Sequence, residues 1–207
     1  MALVYQFNRM AIQDLRRRLK ARLTALPTLK NKETALRAAV QEHHLRLQEA
    51  QRTYDERLGR VREDLTLWAE FPAYIFVIER LVSRPVKVTG VVYPEFVEVV
   101  WNTREFSKFN KPAWVTTGIR VLQDLAADQA RIAITGQALE ILEQARKRTT
   151  QKVNLYEKVQ IPAYSEAILR VKRHLEDVDN LTKAAQKLTK QRLSETEAAL
   201  LDGRSEP

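Results

Sequence analysis

Two long stretches of the chain repeat apolar residues at helical spacing, and a short segment between them does not. The first stretch runs from about Arg9 to Phe71 and the second from about Ala113 to Leu193. In the first, Leu36, Val40, Leu47, Ala50 and Tyr54 fall on one stripe, with His43 at an intervening position. The stripe continues through Leu58, Val61, Leu65 and Trp68 after a local stutter of the heptad. Toward the start, Ile12, Leu15, Leu19, Leu26 and Leu29 extend it, and Arg22 stands where an apolar residue is expected. Asn8 is a suitable N-cap, and Pro27 should kink or bend the helix. In the second stretch, Tyr164, Ile168, Val171, Leu175 and Val178 step by four and three, and Thr182 and Ala185 complete the register. Upstream, Ile132, Leu139, Leu142, Val153 and Tyr156 hold a similar seam, interrupted by Gly136, Arg146 and Thr149. Heptads sustained over this length argue for a coiled coil rather than a single buried helix.

Between the two stretches the period changes. Pro72 opens the break and Pro112 closes it. Residues Ala73 to Ser83 read as an extension of the first helix or a separate short one. Val86–Val92 and Phe96–Trp101 are β-branched runs, and Tyr93-Pro94-Glu95 reads as the turn between them. Gly90 marks a bulge or a close approach. A two-stranded hairpin is marginal alone, so it should pack on the helices or on a partner.

The predicted fold is mainly α: a long antiparallel two-helix coiled coil with a small β-hairpin insert at the turning end. The divisions are 1–71 for the N-terminal coiled-coil helix, 72–112 for the hairpin-containing turning segment, 113–201 for the C-terminal helix and 202–207 for the tail. A helix of some sixty residues is roughly 90 Å long. Such a rod has little room for a pocket, so a mechanical or adaptor role fits better than catalysis.

Composition narrows the class further. Five glycines in 207 residues, with abundant Leu, Ala, Arg, Glu, Lys and Gln, is the make-up of long helices. There are no cysteines, which excludes disulfides and thiolate metal sites and fits a reducing, cytoplasmic setting. No run of eighteen apolar residues is present to span a bilayer, and the first residues do not read as a secretory signal. The net charge is +9. Residues 9–71 and 113–193 each hold 14 basic against 9 acidic side chains, so the excess is spread along both helices. That suits a solvated face, a shaft moving past acidic or polar surfaces, or a polyanion binder.

Candidate chemistry is sparse. His43 lies on the seam with His44 beside it, and both read as structural rather than as metal ligands or bases. Asp55-Glu56, Glu63-Asp64 and Glu176-Asp177 alternate with Arg and Lys at helical spacings and read as surface ion partners. The basic clusters Arg16-Arg17-Arg18 and Arg146-Lys147-Arg148 point around a helix rather than into one groove, and no aromatics are interleaved. They do not favour nucleic acid or a membrane surface. No catalytic, cofactor-binding or metal residues are assigned.

Specific residues resemble a known family. The segment Thr150–Pro162, TQKVNLYEKVQIP, is similar to the C-terminal signature of the D subunit of V-type and A-type rotary ATPases. Val153, Asn154, Glu157, Val159, Ile161 and Pro162 fall in place. Lys152 replaces the usual Arg, and Lys158 and Gln160 depart from the pattern. Asn8 with Leu15 and the following basic run resembles the family's opening, although Arg9-Met10-Ala11 departs from it. Leu29-Lys30-Asn31-Lys32 and Gly90-Val91-Val92-Tyr93-Pro94 resemble two further motifs, in the right order and spacing.

The resemblance implies a non-catalytic central rotor axle. It would transmit torque between ATP turnover in the catalytic head and ion translocation in the membrane ring, in ATP synthesis or hydrogen ion transport. The implied partners are the catalytic and non-catalytic head subunits, the small F subunit of the stalk and the funnel subunit above the membrane ring. Neither cofactor, nucleic acid nor direct membrane insertion is implied. The chain would be cytoplasmic and peripheral to the membrane. Arg16, Arg17, Lys20, Lys187, Lys190 and Arg192 are the expected bearing against the head, at paired ends Ile12–Leu29 and Lys183–Leu193. Val91, Phe96, Val97 and Val99 are the expected contact with the lower stalk. The alternative reading is a cytoplasmic coiled-coil adaptor or polyanion-binding protein.

Overall fold

The computed structural model describes residues 5–63, Trp68, Phe71, 76–103 and 114–202. The order is helix α1 (Arg9–Glu63), strands β1 (Phe76–Val88) and β2 (Val91–Thr103), helix α2 (Trp114–Asn154), a π-helical turn (Leu155–Gln160) and helix α3 (Ile161–Asp202). The architecture is the helical hairpin with a two-stranded insert that the periodicity predicts. The chain divides into two compact units, one of residues 1–28 with 152–207 and one of residues 29–151.

Asn8 opens α1 by accepting a hydrogen bond from the Ala11 amide, 2.7 Å from its side-chain oxygen. Pro27 lies inside α1, and the helix runs through it without interruption.

In the first unit, Leu15 of α1 packs with Tyr164, Ala167 and Val171 of α3, and Ile12, Leu19, Ile168 and Leu175 flank them. The pairing is antiparallel, because Arg22 reaches Gln160 whereas Arg9 reaches Asp179. In the second unit, Leu36, Ala39 and Val40 of α1 pack on Ala138, Leu139 and Leu142 of α2. Leu36, Leu142 and Val171 are fully buried. Each such side chain contributes about 1.5–3 kcal/mol through the area it removes from water. The sequence pattern places Leu36, Val40 and Leu47 opposite Tyr164–Val178, and that pairing is corrected here. An antiparallel pair must match residues at equal distance from its turn, so Leu36 meets Leu142, and Tyr164 meets Leu15.

Polar groups interrupt the α1 seam at intervals, and several are matched across it. Glu33 accepts from the Thr150 hydroxyl at 3.3 Å, His43 stacks edge-on against Tyr93 with centroids 4.9 Å apart, and Arg57 pairs with Asp128 at 2.9 Å. The Arg57–Asp128 pair favours one register, because a slip leaves the buried carboxylate without its cation.

The insert differs from expectation in two ways. The turn is Thr89-Gly90, not Tyr93–Glu95, and Pro85 pairs with Pro94 inside the ladder. Proline is tolerated there because each strand of a two-stranded ribbon keeps one edge unpaired. Gly90 has φ +84° and Thr89 φ +48°, so both turn residues lie in the left-handed region that a two-residue hairpin turn requires. In addition, residues 76–83 are strand rather than helix. The run Phe76-Val77-Ile78 is β-branched and aromatic, and it gains a paired neighbour in β2 that no helix would give it. Ala73–Ile75 lie outside the described residues.

Thr89 is β-branched in a conformation that costs an ordinary L-residue about 1–2 kcal/mol. Thr89→Asn is therefore expected to stabilise the chain by about 1 kcal/mol, read as a higher urea midpoint at unchanged slope.

The π-turn has a cause in the seam. Leu142, Thr149 and Tyr156 recur every seven residues, as do Tyr164 and Val171, but eight residues separate Tyr156 from Tyr164. A π-turn absorbs one residue more than α-helical winding. Its marker is the Ile161 amide, which donates to the Tyr156 carbonyl five residues back.

Candidate functional site

The candidate site is a set of surfaces rather than a pocket. The hairpin lies against the helices of the second unit. Val86, Val88 and Val91 pack on the Leu36–Leu142 cluster, Tyr93 and Val99 are buried, and Arg131 sits 5.3 Å over the Phe96 ring. Glu95 binds Arg84 at 2.5 Å and lies 3.6 Å from Arg46, and these arginines hold its carboxyl below the usual carboxylate range, Arg84 contributing most. Of the four residues expected to meet a lower-stalk partner, Val91 and Phe96 thus face the chain's own helices, and Val99 is buried. Val97 is 49% exposed. It is the unpaired residue of a β-bulge, since Val82 pairs with Glu98 and Ser83 with Phe96. The bulge breaks the in–out alternation and leaves Val97 outside. Val77, Ile78, Leu81 and Val92 are exposed with it. Sequence alternation alone missed β1 as a source of exposed apolar residues, because residues 73–83 read as helix.

At the base of the hairpin, Trp68, Phe71, Phe76, Trp101 and Trp114 form a chain of ring contacts at 5.6–6.5 Å. A side chain at Gly118 would meet Trp114, Phe71 and Trp68 at 3.2–3.3 Å, so these rings would have to shift by a few tenths of an ångström to admit one.

Arg16, Arg17 and Lys20 are exposed on α1, with Arg17 bound to Asp14 at 2.8 Å. Lys187, Lys190 and Arg192 are exposed on the last part of α3. The structure does not bring these two groups together. Arg9, the first residue of α1, already reaches Asp179, at 3.6 Å. The stretch Lys183–Leu193 therefore continues past the start of α1. Along this part of α3, Leu181 is 71% and Leu188 58% exposed. The heptad does not reveal this, because it cannot say where a partner helix starts.

The remaining candidates are surface or seam residues. His44 meets Glu143 at 3.0 Å, and Glu56 and Glu176 take Arg52 and Lys172 one helical turn away. Arg146 is half-buried with its Nε inside, while Lys147 and Arg148 are exposed, so that cluster is split around the helix. Among the described residues no group of three His, Asp or Glu side chains could hold a metal ion, and no helix is long and apolar enough to cross a membrane. A half-open cavity of about 400 Å³ lies beside His43, lined by Arg46, Glu49, Glu95 and Arg131.

Comparison with known proteins supplies the deciding observation. The family model for the D subunit of ATP synthase matches residues 11–191, nearly the whole chain. The chain belongs to the ATP synthase D-subunit family. Among similar proteins, the V-type ATP synthase D subunit of Chlamydia abortus is 30% identical over 190 residues, covering 85% of this chain and 89% of that protein. The Chlamydia caviae protein of the same name is 26% identical over the same extent. That of Borreliella burgdorferi is 22% identical over 174 residues, covering 81% and 84%. A D subunit is one component of a larger V-type, rotary ATPase complex, and its name marks no catalytic role. The match takes in the π-turn and both helical pairings.

His43 gives this D subunit a pH response. Burial holds its imidazole below the ordinary range, the Arg46 charge adds to that, and Glu42 and Glu95 oppose it. The unfolded chain therefore takes up the proton first, near pH 6.5. Stability is full above that pH and falls as pH drops through the window between the unfolded and the lower folded value. His43→Leu should flatten that slope and remove a buried Nδ1 that has no hydrogen-bond partner. Urea unfolding at pH 5.5 and 7.5 checks both effects.

Proposed function

We propose that this chain is the central shaft of a V-type rotary ATPase or ATP synthase, transmitting torque between ATP turnover in the head and ion movement in the membrane ring. The observation that carries the reading is the open end of α3. A helix that continues past its partner with large apolar side chains such as Leu181 and Leu188 exposed is suited to entering another protein. The family membership supports the same reading. The shaft itself hydrolyses nothing, and it works from the cytoplasmic side as a peripheral part of the membrane-bound complex. Its catalytic and non-catalytic head partners meet the α3 end and the Arg16, Arg17 and Lys20 face. The small stalk subunit and the funnel subunit meet the lower part, where the hairpin exposes Val77, Leu81, Val92 and Val97.

Purification of the tagged chain from native membranes tests the assignment. Head and stalk subunits should come with it. Recovery of the chain alone, or with nucleic acid, would refute the shaft reading. The hairpin contact has its own test. Val97→Glu places a charge on an exposed bulge and is expected to release a lower-stalk partner on size exclusion without moving Tm. Val99→Glu buries a charge and should lower Tm instead, because Val99 is 9% exposed. Partner binding by Val97→Glu at the wild-type level would move the contact away from the hairpin.

A further inference from the structure

Arg22 occupies an apolar position of the α1 stripe, and its contacts explain why. It is partly buried. Its Nε donates to Gln160 Oε1 at 2.7 Å and its Nη1 donates to the Arg18 carbonyl at 3.0 Å. The guanidinium lies 4.6 Å from the Tyr164 ring centroid and 5.9 Å from that of Tyr156. One side chain thus touches the second residue of the π-turn, its last residue, and the residue one turn beyond. Arginine suits this place because its planar fork can stack on rings and donate in the plane at once.

The π-turn has an α-helical winding as its alternative. It holds one residue more than the α-helical winding would. Winding Leu155–Gln160 as α-helix would turn everything before it by about 100° about the helix axis relative to Tyr164. Tyr156 would then leave the face that meets Arg22. The guanidinium contacts Tyr156 and Tyr164 together only in the π-wound form. Pro162 contributes, since its ring opposes the carbonyl four residues back. It does not suffice, because α1 passes through Pro27 as an uninterrupted α-helix.

We propose that Arg22 is a latch that selects the π-wound form of Leu155–Gln160, and that its release lets the extra residue travel along the helix. The turn is then a winding element that yields under twist and resets when Arg22 re-engages. This role rests on the shaft reading. The latch does not, since it is a property of the chain alone.

Amide hydrogen exchange on the full-length chain tests the latch. Arg22→Leu keeps the stripe apolar but removes the contacts, and Gln160→Leu removes the acceptor. Each should speed exchange of the amides from Tyr156 to Ile161 by at least tenfold, with those near Leu36 and Leu142 unchanged. Arg22→Lys should not restore protection. Deleting Val159 brings Tyr156 and Tyr164 to seven-residue spacing, and exchange there should slow to that of the neighbouring helix. Wild-type exchange in Arg22→Leu, or loss of the packed core around Tyr164 and Val171 in the deletion, overturns the latch. In the assembled ATPase, the Arg22→Leu shaft should keep ATP hydrolysis and transport at least twofold fewer ions per ATP. An unchanged ratio alongside faster exchange overturns the winding role. Failure of the wild-type chain to assemble with head subunits counts against the shaft reading and leaves the exchange result standing on its own.

Discussion

Replacing Arg57 with alanine is expected to destabilise the chain by about 3 kcal/mol, the largest loss foreseen for any single charge. Asp128 is 7% exposed on the inner side of α2, and its Oδ2 lies 2.9 Å from Arg57 Nη1. That oxygen has no aligned hydrogen bond, so the carboxylate depends on the charge and proximity of Arg57. Removing one partner of a buried pair leaves an uncompensated ion and costs about 3–5 kcal/mol. Arg57 is 41% exposed, so water can reach the vacated place, and the lower end of that range applies. For a chain of this size the loss lowers Tm by about 6–12 °C. The double variant Arg57→Met with Asp128→Leu should recover most of it, because two apolar residues leave no buried charge behind. Urea unfolding of both singles and the double gives the coupling energy. A loss below about 1 kcal/mol in Arg57→Ala would mean that Asp128 is hydrated in solution.

The same pair shows how far the seam is legible in sequence. Period alone placed Leu36, Val40 and His43 on the inner face, because three-and-four spacing is a direct consequence of helical pitch. It passed over Asp128 and Arg57, since a polar residue at a seam position is visible only when its partner is known. Arg22 is the same case. The sequence marks it as an interruption, and only the geometry supplies Gln160 and the two tyrosines. The extra residue between Tyr156 and Tyr164 is written in the heptad. It can be accommodated by a stutter, a kink or a π-turn, so spacing does not choose among them.

The hairpin was legible in its composition and misread in its register. Tyr93-Pro94-Glu95 has the residues of a turn, yet Thr89-Gly90 makes it. Proline discourages a central strand, and a two-stranded ribbon has none. Without the bulge at Val97, alternation would put Val97 and Val99 on the same face, and the bulge separates them. For the bearing, the sequence located exposed cations on both helices, but antiparallel offset keeps Lys187, Lys190 and Arg192 away from Arg16, Arg17 and Lys20. The two groups of cations are therefore two separate faces rather than one.

That offset leads to the largest functional effect expected. Ending the chain at Thr182 removes the part of α3 beyond its Asp179–Arg9 contact and keeps every residue of the Leu15–Tyr164 cluster. The cluster of Leu15, Tyr164, Ala167 and Val171 stays whole, so Tm should fall by no more than a few degrees while helical content drops in proportion to the residues removed. In the assembled complex, ATP hydrolysis should continue, and ion transport driven by it should fall at least tenfold. The reason is geometric. On the shaft reading, the part of α3 that projects beyond the helix pair, with Leu188 exposed, gives the head its longest hold. Single neutralisations there should behave differently. Lys187→Ala or Lys190→Ala should each keep most of the coupled activity, because an exposed ion pair is worth only about 0–1 kcal/mol and a shaft that turns must not lock to one charge. Leu188→Asp should resemble the truncation, since it puts a charge where the exposed apolar side chain would enter a partner. Simultaneous assays of phosphate release and ion uptake in reconstituted vesicles separate these outcomes. If Lys187→Ala alone stopped hydrolysis, the end of α3 would be contacting a catalytic site directly. If the truncated chain transported ions at the normal rate, torque would be entering the shaft below Asp179, through the helix pair rather than through its open end.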